Sequence, residues 1–320
     1  LQARAETHRN HPQTNTWGAF QAYGDEQYRF PDVEETEENG PSEYVHPSHL
    51  VADLDMLSAR LADTTKEERE FYHKRLKSIE KAARATDFQH AGVREQLASA
   101  WAEFGDNKRA IDHYRAALTF EDAGLSLHAL EQLANLEIRH GATLMASKDK
   151  DKKKEQEQQQ QGAEYLQVGQ ERLDRLIQIG VTTERLSLLG SSWKHWAQAN
   201  VAQGHTEGIN QWLQAMEEAY WRAAEHSNKR TGCWDYYPLL NALDGILLRA
   251  AWGERERFDQ FRGQLPELLR AAADNGRRRF SENREFFHAL AEVEAERVES
   301  LWACVEDNRP QACLTEPAVR

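Results

Sequence analysis

From about residue 50 to residue 305 the apolar positions return every three or four residues, with charged and amide side chains filling the gaps. That period is helical. Ala, Leu, Glu, Gln and Arg dominate this stretch, and all favour helix. Of the eight prolines only Pro238 and Pro266 fall inside it, and each can occupy a first helical turn. The pattern predicts helices near 48–63, 65–85, 91–104, 107–119, 124–146, 162–179, 182–203, 206–226, 236–252, 254–274 and 280–305.

The pattern changes before residue 50. Residues 16–23 (Thr-Trp-Gly-Ala-Phe-Gln-Ala-Tyr) alternate and are rich in aromatics, which predicts one short strand presenting Trp17, Phe20 and Tyr23 for docking to a sheet. A lone strand leaves its backbone groups unpaired, so a sheet supplied from elsewhere is expected to receive it. Residues 32–43 follow with six acids and no base, the composition of a solvated linker. A second low-complexity stretch, 147–161, mixes lysine, acids and glutamine without an apolar face and reads as a solvated insertion between two helices. The expected organisation is therefore a terminal strand in 1–31, an acidic linker over 32–47, and a helical domain over 48–320 interrupted at 147–161.

Within the helical region a recognisable spacing marks a repeat. Leu97, Ala98, Trp101, Gly105, Ala110, Tyr114 and Ala117 stand where a tetratricopeptide repeat places its small, aromatic and turn residues. Two alanines let antiparallel helices approach, Gly105 makes the turn, and Trp101 and Tyr114 fill the space between. Leu133, Ala134 and Gly141 echo the first-helix spacing, as do Leu189, Gly190 and Trp193. Met216, Tyr220 and Ala223 echo the second. The fold class expected is all-α, an irregular, curved tetratricopeptide-type α-solenoid carrying one short N-terminal β-strand.

Composition narrows the function. The 320 residues carry 40 Lys+Arg against 53 Asp+Glu, a net charge of −13, which argues against general nucleic-acid binding. Mean hydropathy is −0.81 and no apolar run reaches the ~18 residues a membrane span requires. Nine Trp, nine Tyr and eleven Phe argue against general disorder. Three cysteines, Cys233, Cys304 and Cys313, are too few and scattered for a disulfide framework and suit reduced thiols in a cytoplasmic protein. No Cys-x-x-Cys, His-Glu-x-x-His or glycine-rich phosphate loop occurs, so no catalytic residue, metal site or cofactor is assigned. The chain begins at Leu1 rather than Met, and a segment upstream is expected.

Two stretches resemble known families. His11, Pro12, Trp17, Gly18, Ala19, Phe20, Gln21, Tyr23, Gly24 and Asp25 resemble the closing strand of a CHAT domain, the caspase-like cysteine peptidase fold. The resemblance implies that the strand is left from an α/β caspase-like sheet. That family's catalytic His and Cys lie upstream of this strand and match nothing here. Residues 183–197 and 235–242 resemble the tetratricopeptide-like domain shared by bacterial conflict-system proteins and the TRAF-binding region of the apoptosis signal-regulating kinases. The two together imply the regulatory, partner-sensing C-terminal portion of a CHAT-type peptidase in bacterial antiviral defence. Its implied partners are the upstream peptidase domain or chain and a protein activator or inhibitor. A non-enzymatic tetratricopeptide adaptor is the alternative.

Partner contact then falls to the solenoid groove. First-helix positions that face inward are Glu184, Ser187, Ser191 and Lys194, beside His195, with Tyr236, Tyr237 and Asn241 on the neighbouring first helix. Trp193 and Trp196 read as wedges between helices.

Overall fold

Helix begins where a short polar side chain can hold the first free N–H groups, and this chain supplies such caps repeatedly. Ser126 accepts from Ala129, Asp106 and Thr182 from Arg109 and Arg185, and Asp151 and Asp235 from Lys153 and Tyr237. A computed structural model describes residues 44–307 apart from 62–64, 86–87, 89 and 121–123, together with Arg9. The described residues from Tyr44 onward belong to one compact unit. Its elements are α1 (Pro47–Leu61), α2 (Lys66–Ala85), α3 (Ala91–Phe104), α4 (Asn107–Ala117), α5 (Leu127–Ala146), α6 (Lys152–Ile179) and α7 (Thr183–Ala202). After these come α8 (Ile209–Thr231), α9 (Tyr236–Ala251), α10 (Glu256–Phe261), α11 (Leu265–Asn283), α12 (Phe286–Ala289) and α13 (Ala291–Glu306).

Successive helices pack as antiparallel pairs, and alternate helices such as α1 and α3, or α5 and α7, touch as well. The architecture is an all-α solenoid of tetratricopeptide type. In the α3–α4 hairpin, Leu97, Ala98, Trp101, Ala110, Tyr114 and Ala117 are all buried. Gly105 turns the chain at φ 95°, a left-handed conformation, and its N–H closes on Trp101 and Ala102. Pro238 and Pro266 both stand in first turns, of α9 and α11.

The α5–α6 seam is closed by glycines facing each other. A methyl group on Gly162 would lie 2.6 Å from the Gly141 carbonyl oxygen and 2.8 Å from the Met145 nitrogen. At the next seam the Gly190 position leaves room only for the Tyr220 ring, which is fully buried.

Three expectations change. Of the stretch 147–161 only residues 147–151 are loop: α6 starts at Lys152 and runs 28 residues. Asp151 caps it, Lys152–Glu155 and Lys153–Glu157 pair at 2.7 and 3.9 Å along its first turns, and its glutamines are good helix formers. Such a stretch has no apolar face to betray its helicity. The helix expected over 254–274 breaks into α10 and α11 ahead of Pro266, and α11 runs on to Asn283. Cys304 is disulfide-bonded while Cys233 is free, so three reduced thiols cannot be assumed and the thiol count gives no guide to compartment. The strand expected at 16–23, with Trp17, Phe20 and Tyr23, and the acidic stretch before residue 44 lie outside the described residues.

Buried carboxylates tie helices in threes. Glu137 of α5, with a fully buried side chain, receives Arg115 of α4 at 2.9 Å and Arg172 of α6 at 3.1 Å. Glu217 of α8, 1% exposed, receives Arg249 of α9 at 2.5 Å and Arg257 of α10 at 2.7 Å. Arg185 of α7 binds Glu131 of α5 at 2.7 Å and also donates to the carbonyls of Leu176 and Gly180, fixing the α6–α7 turn. Glu80 of α2 meets His113 of α4 at 3.3 Å, with Arg84 and Arg109 beside it. The hydrogen bond from His113, helped by the two guanidinium charges, holds the Glu80 carboxyl down at about 2 against the opposing effect of burial.

Two outcomes follow for stability. Gly162→Ala should destabilise the protein by about 1–3 kcal/mol, because backbone atoms cannot yield to the new methyl. Gly124→Ala, with open space around it, serves as the neutral control in urea titrations. Glu80 has a folded-state affinity for protons below its unfolded one, so it stabilises fully above about pH 4.5 and loses that effect as pH falls towards 2. The destabilisation caused by Glu80→Gln should therefore be greatest at neutral pH and shrink between pH 4.5 and 3; equal losses at pH 7 and pH 3 would contradict this assignment.

Candidate functional site

Helices α7 and α9 flank α8, and the side chains they share across it form a polar row. Lys194 Nζ of α7 donates to Asn241 Oδ1 of α9 at 3.0 Å, and the Asn241 amide donates back to the Tyr237 carbonyl at 2.9 Å. That second bond spans one helical turn and sets the amide's orientation, so its oxygen faces Lys194. The Tyr237 and Tyr220 hydroxyls lie 3.4 Å apart, their rings edge to face at 6.0 Å. Ser191 lies near enough to the same Tyr220 hydroxyl to ease its proton loss. Burial drives the Tyr220 phenol far up from its usual range, so it stays a neutral donor at any physiological pH. Tyr237 is 45% exposed, the accessible end of this row.

The row continues towards the C-terminal helices. Asp244 of α9 sits 2.6 Å from Arg297 of α13, which also holds Glu294 at 2.8 Å. Burial pushes the Asp244 carboxyl up, and the bond and charge from Arg297 pull it back, with the Lys194 charge adding. Lys194 thus bonds an amide directly and acts on a carboxylate through its charge.

The residues expected to contact a partner divide into three groups. Ser191, Lys194, Tyr237 and Asn241 converge. Glu184 and His195 flank them: Glu184 is exposed at the start of α7, its carboxyl raised by desolvation and by the charges of Glu131 and Asp235, while His195 is half-buried and its ring is disfavoured as a cation by burial, Lys194 and Arg139. Ser187 and Tyr236 are placed differently. Ser187 is 6% exposed, and Tyr236 is packed edge to face on His288 with its N–H bound to Asn275 at 3.2 Å. A helix in the middle of a solenoid has neighbours on both sides, and these two positions face them. Trp193 and Trp196 are wedges between helices, the Trp196 indole N–H donating to Gln170 at 3.0 Å.

Tyr220, Asp244 and Arg297 were not singled out by sequence. Tyr220 appears there only as a repeat position, and Asp244 and Arg297 lie 53 residues apart with no shared motif. Among the described residues no three His, Cys, Asp or Glu side chains gather as a metal site. No helix is long and apolar enough to cross a membrane among them either.

Residues 106–248 match the family model of TPR-S, Tetratricopeptide Repeats-Sensor. The match begins at the cap of α4 and ends in the last turn of α9, so it contains the row's α7, α8 and α9 residues but not Arg297 and Glu294, and both Glu–Arg–Arg clusters except Arg249 and Arg257. It shows a tetratricopeptide-type domain over those residues. No curated protein matches the chain. No solved structure matches it.

The row separates architecture from surface by mutation. Arg297→Ala, which strips Asp244 of its partner, should cost about 1–3 kcal/mol. Lys194→Ala, at a partly exposed position, should stay within about 0.5 kcal/mol. Chemical denaturation of the two variants beside the parent chain reads both values.

Proposed function

We propose that the helical domain is a partner-sensing module whose α7–α9 row receives a segment of another protein. The observation that carries this reading is a set of preoriented polar groups left open to solvent within a sensor-type repeat domain. Lys194 supplies a charge, Asn241 an amide already aligned by its own backbone bond, and Tyr237 an exposed ring with a hydroxyl. Fixed side chains lose little freedom on binding, so such a row favours a specific contact. Glu184 and His195 lie at its margins and would read the charge of the incoming chain.

The finer reading is regulatory. The resemblance of residues 11–25 to a CHAT closing strand supports a caspase-like peptidase as the element controlled, with an activator or inhibitor protein engaging the row in bacterial antiviral defence. In the adaptor alternative the same stretch would instead augment the sheet of another protein.

The test is the polypeptide extended upstream of Leu1. An α/β domain bearing His and Cys should be encoded there, and its peptide turnover should shift about tenfold when Lys194→Glu and Tyr237→Ala are combined, while the melting temperature stays unchanged. Upstream sequence without such a domain, or turnover indifferent to the double variant, would sink the regulatory reading.

A further inference from the structure

Away from the α7–α9 row, a second polar recess opens among α2, α3 and α4. Its volume is about 380 Å³, within the range of small-molecule sites, yet its walls are charged rather than apolar. Five cations line it: Lys77, Lys81 and Arg84 from α2, Arg94 from α3 and Arg109 from α4. Two acids, Glu80 and Asp112, stand against them, leaving a surplus of three positive charges (five less two) in a chain whose net charge is −13. Just outside the lining, Lys108 holds Asp112 at 2.5 Å and Asp106 holds Arg109 at 3.3 Å, so one further cation and one further acid leave the balance at three.

The floor is rigid. A guanidinium can only donate, so the Nδ1 of His113, 3.1 Å from Arg94 Nη1, must accept. The ring proton therefore sits on Nε2, which faces Glu80 at 3.3 Å. Glu80 in turn orients Arg84 and Arg109, and the Arg109 guanidinium lies 4.4 Å over the Trp101 ring. Lys77 and Lys81, both exposed, enter no ion pair among the described residues.

The positive field leaves a mark on its neighbours. The Arg94 guanidinium is weakened as a proton holder by desolvation and by Arg84, and His73 by burial, Lys77 and Arg109. Cations held this close repel one another, and a multivalent anion would relieve the repulsion.

We propose that the recess between α2, α3 and α4 is a binding site for a compact polyanion carrying two or more phosphate groups. Arginine forks match tetrahedral phosphate oxygens, while Lys77 and Lys81 add mobile point charges at the rim. A drug-like apolar ligand finds no apolar residue among those lining the recess, and a single monovalent anion would leave most of the surplus charge uncompensated. The recess lies largely outside residues 106–248, so the site is independent of the α7–α9 row.

Isothermal titration of the full chain with tripolyphosphate at about 0.1 M salt tests this, with citrate at matched ionic strength as the carboxylate arm. Saturable one-to-one binding is expected, weakened at least about tenfold in Lys77→Ala/Lys81→Ala and unchanged in Lys152→Ala/Lys153→Ala. Both substitutions lie on exposed side chains, and far-UV circular dichroism verifies that the helices persist. Absence of saturable binding, equal loss in the two double variants, or citrate binding as tightly as tripolyphosphate would each overturn the proposal.

Discussion

At the α5–α6 and α8–α9 seams the helices lie so close that backbone approaches backbone, and this contact decides most of what surrounds it. At the α5–α6 crossing a carbonyl oxygen of one glycine occupies the place where the other would carry a side chain. Gly190 admits the Tyr220 ring in the same manner, and Gly245 lies against the backbone of Glu217. With so little space between axes, a side chain longer than alanine must leave the seam sideways, towards the next helix. Carboxylates emerging there are dry, and only arginines reaching from flanking helices satisfy them. Glu137 and Glu217 are solved alike, each by two guanidinium groups from two other helices.

How much of this could be read from the chain depends on which residues carried the signal. The hairpin of α3 and α4 was legible because seven positions with distinct steric roles fall at fixed spacing, and all six side-chain positions are buried as those roles demand. Helix α6 was half-legible. Its C-terminal half has an apolar stripe, whereas residues 152–161 owe their helicity to capping and to charge pairs, which leave no periodic trace. Glu137 and Glu217 were not singled out, although each sits on an apolar stripe, following Leu133 by four residues and Leu213 by four. An acid at such a position must find cations, but the sequence alone does not say which.

The α7–α9 row shows the same division. Lys194 and Asn241 are 47 residues apart, and repeat logic placed both on first helices, which is why they could be named together. Tyr236 and Tyr237 are adjacent, and nothing local says which one turns inward. The structure settles it through His288 and Asn275, side chains from α12 and α11 that fall outside any repeat consensus. Positions fixed by a repeat's own helices were therefore legible, and those fixed by its successors were not.

The Glu–Arg–Arg clusters also govern how the solenoid responds to force. In an idealised repeat array each unit contacts only its neighbours, and units can peel away one at a time. Here α4, α5 and α6 share one buried carboxylate, as do α8, α9 and α10, and Arg185 stitches α5 to α7. Withdrawing any single helix strands a charge in a dry seam, so its companions are held until the whole group opens. Under tension the array would open in groups of helices that share a charge rather than one helix at a time.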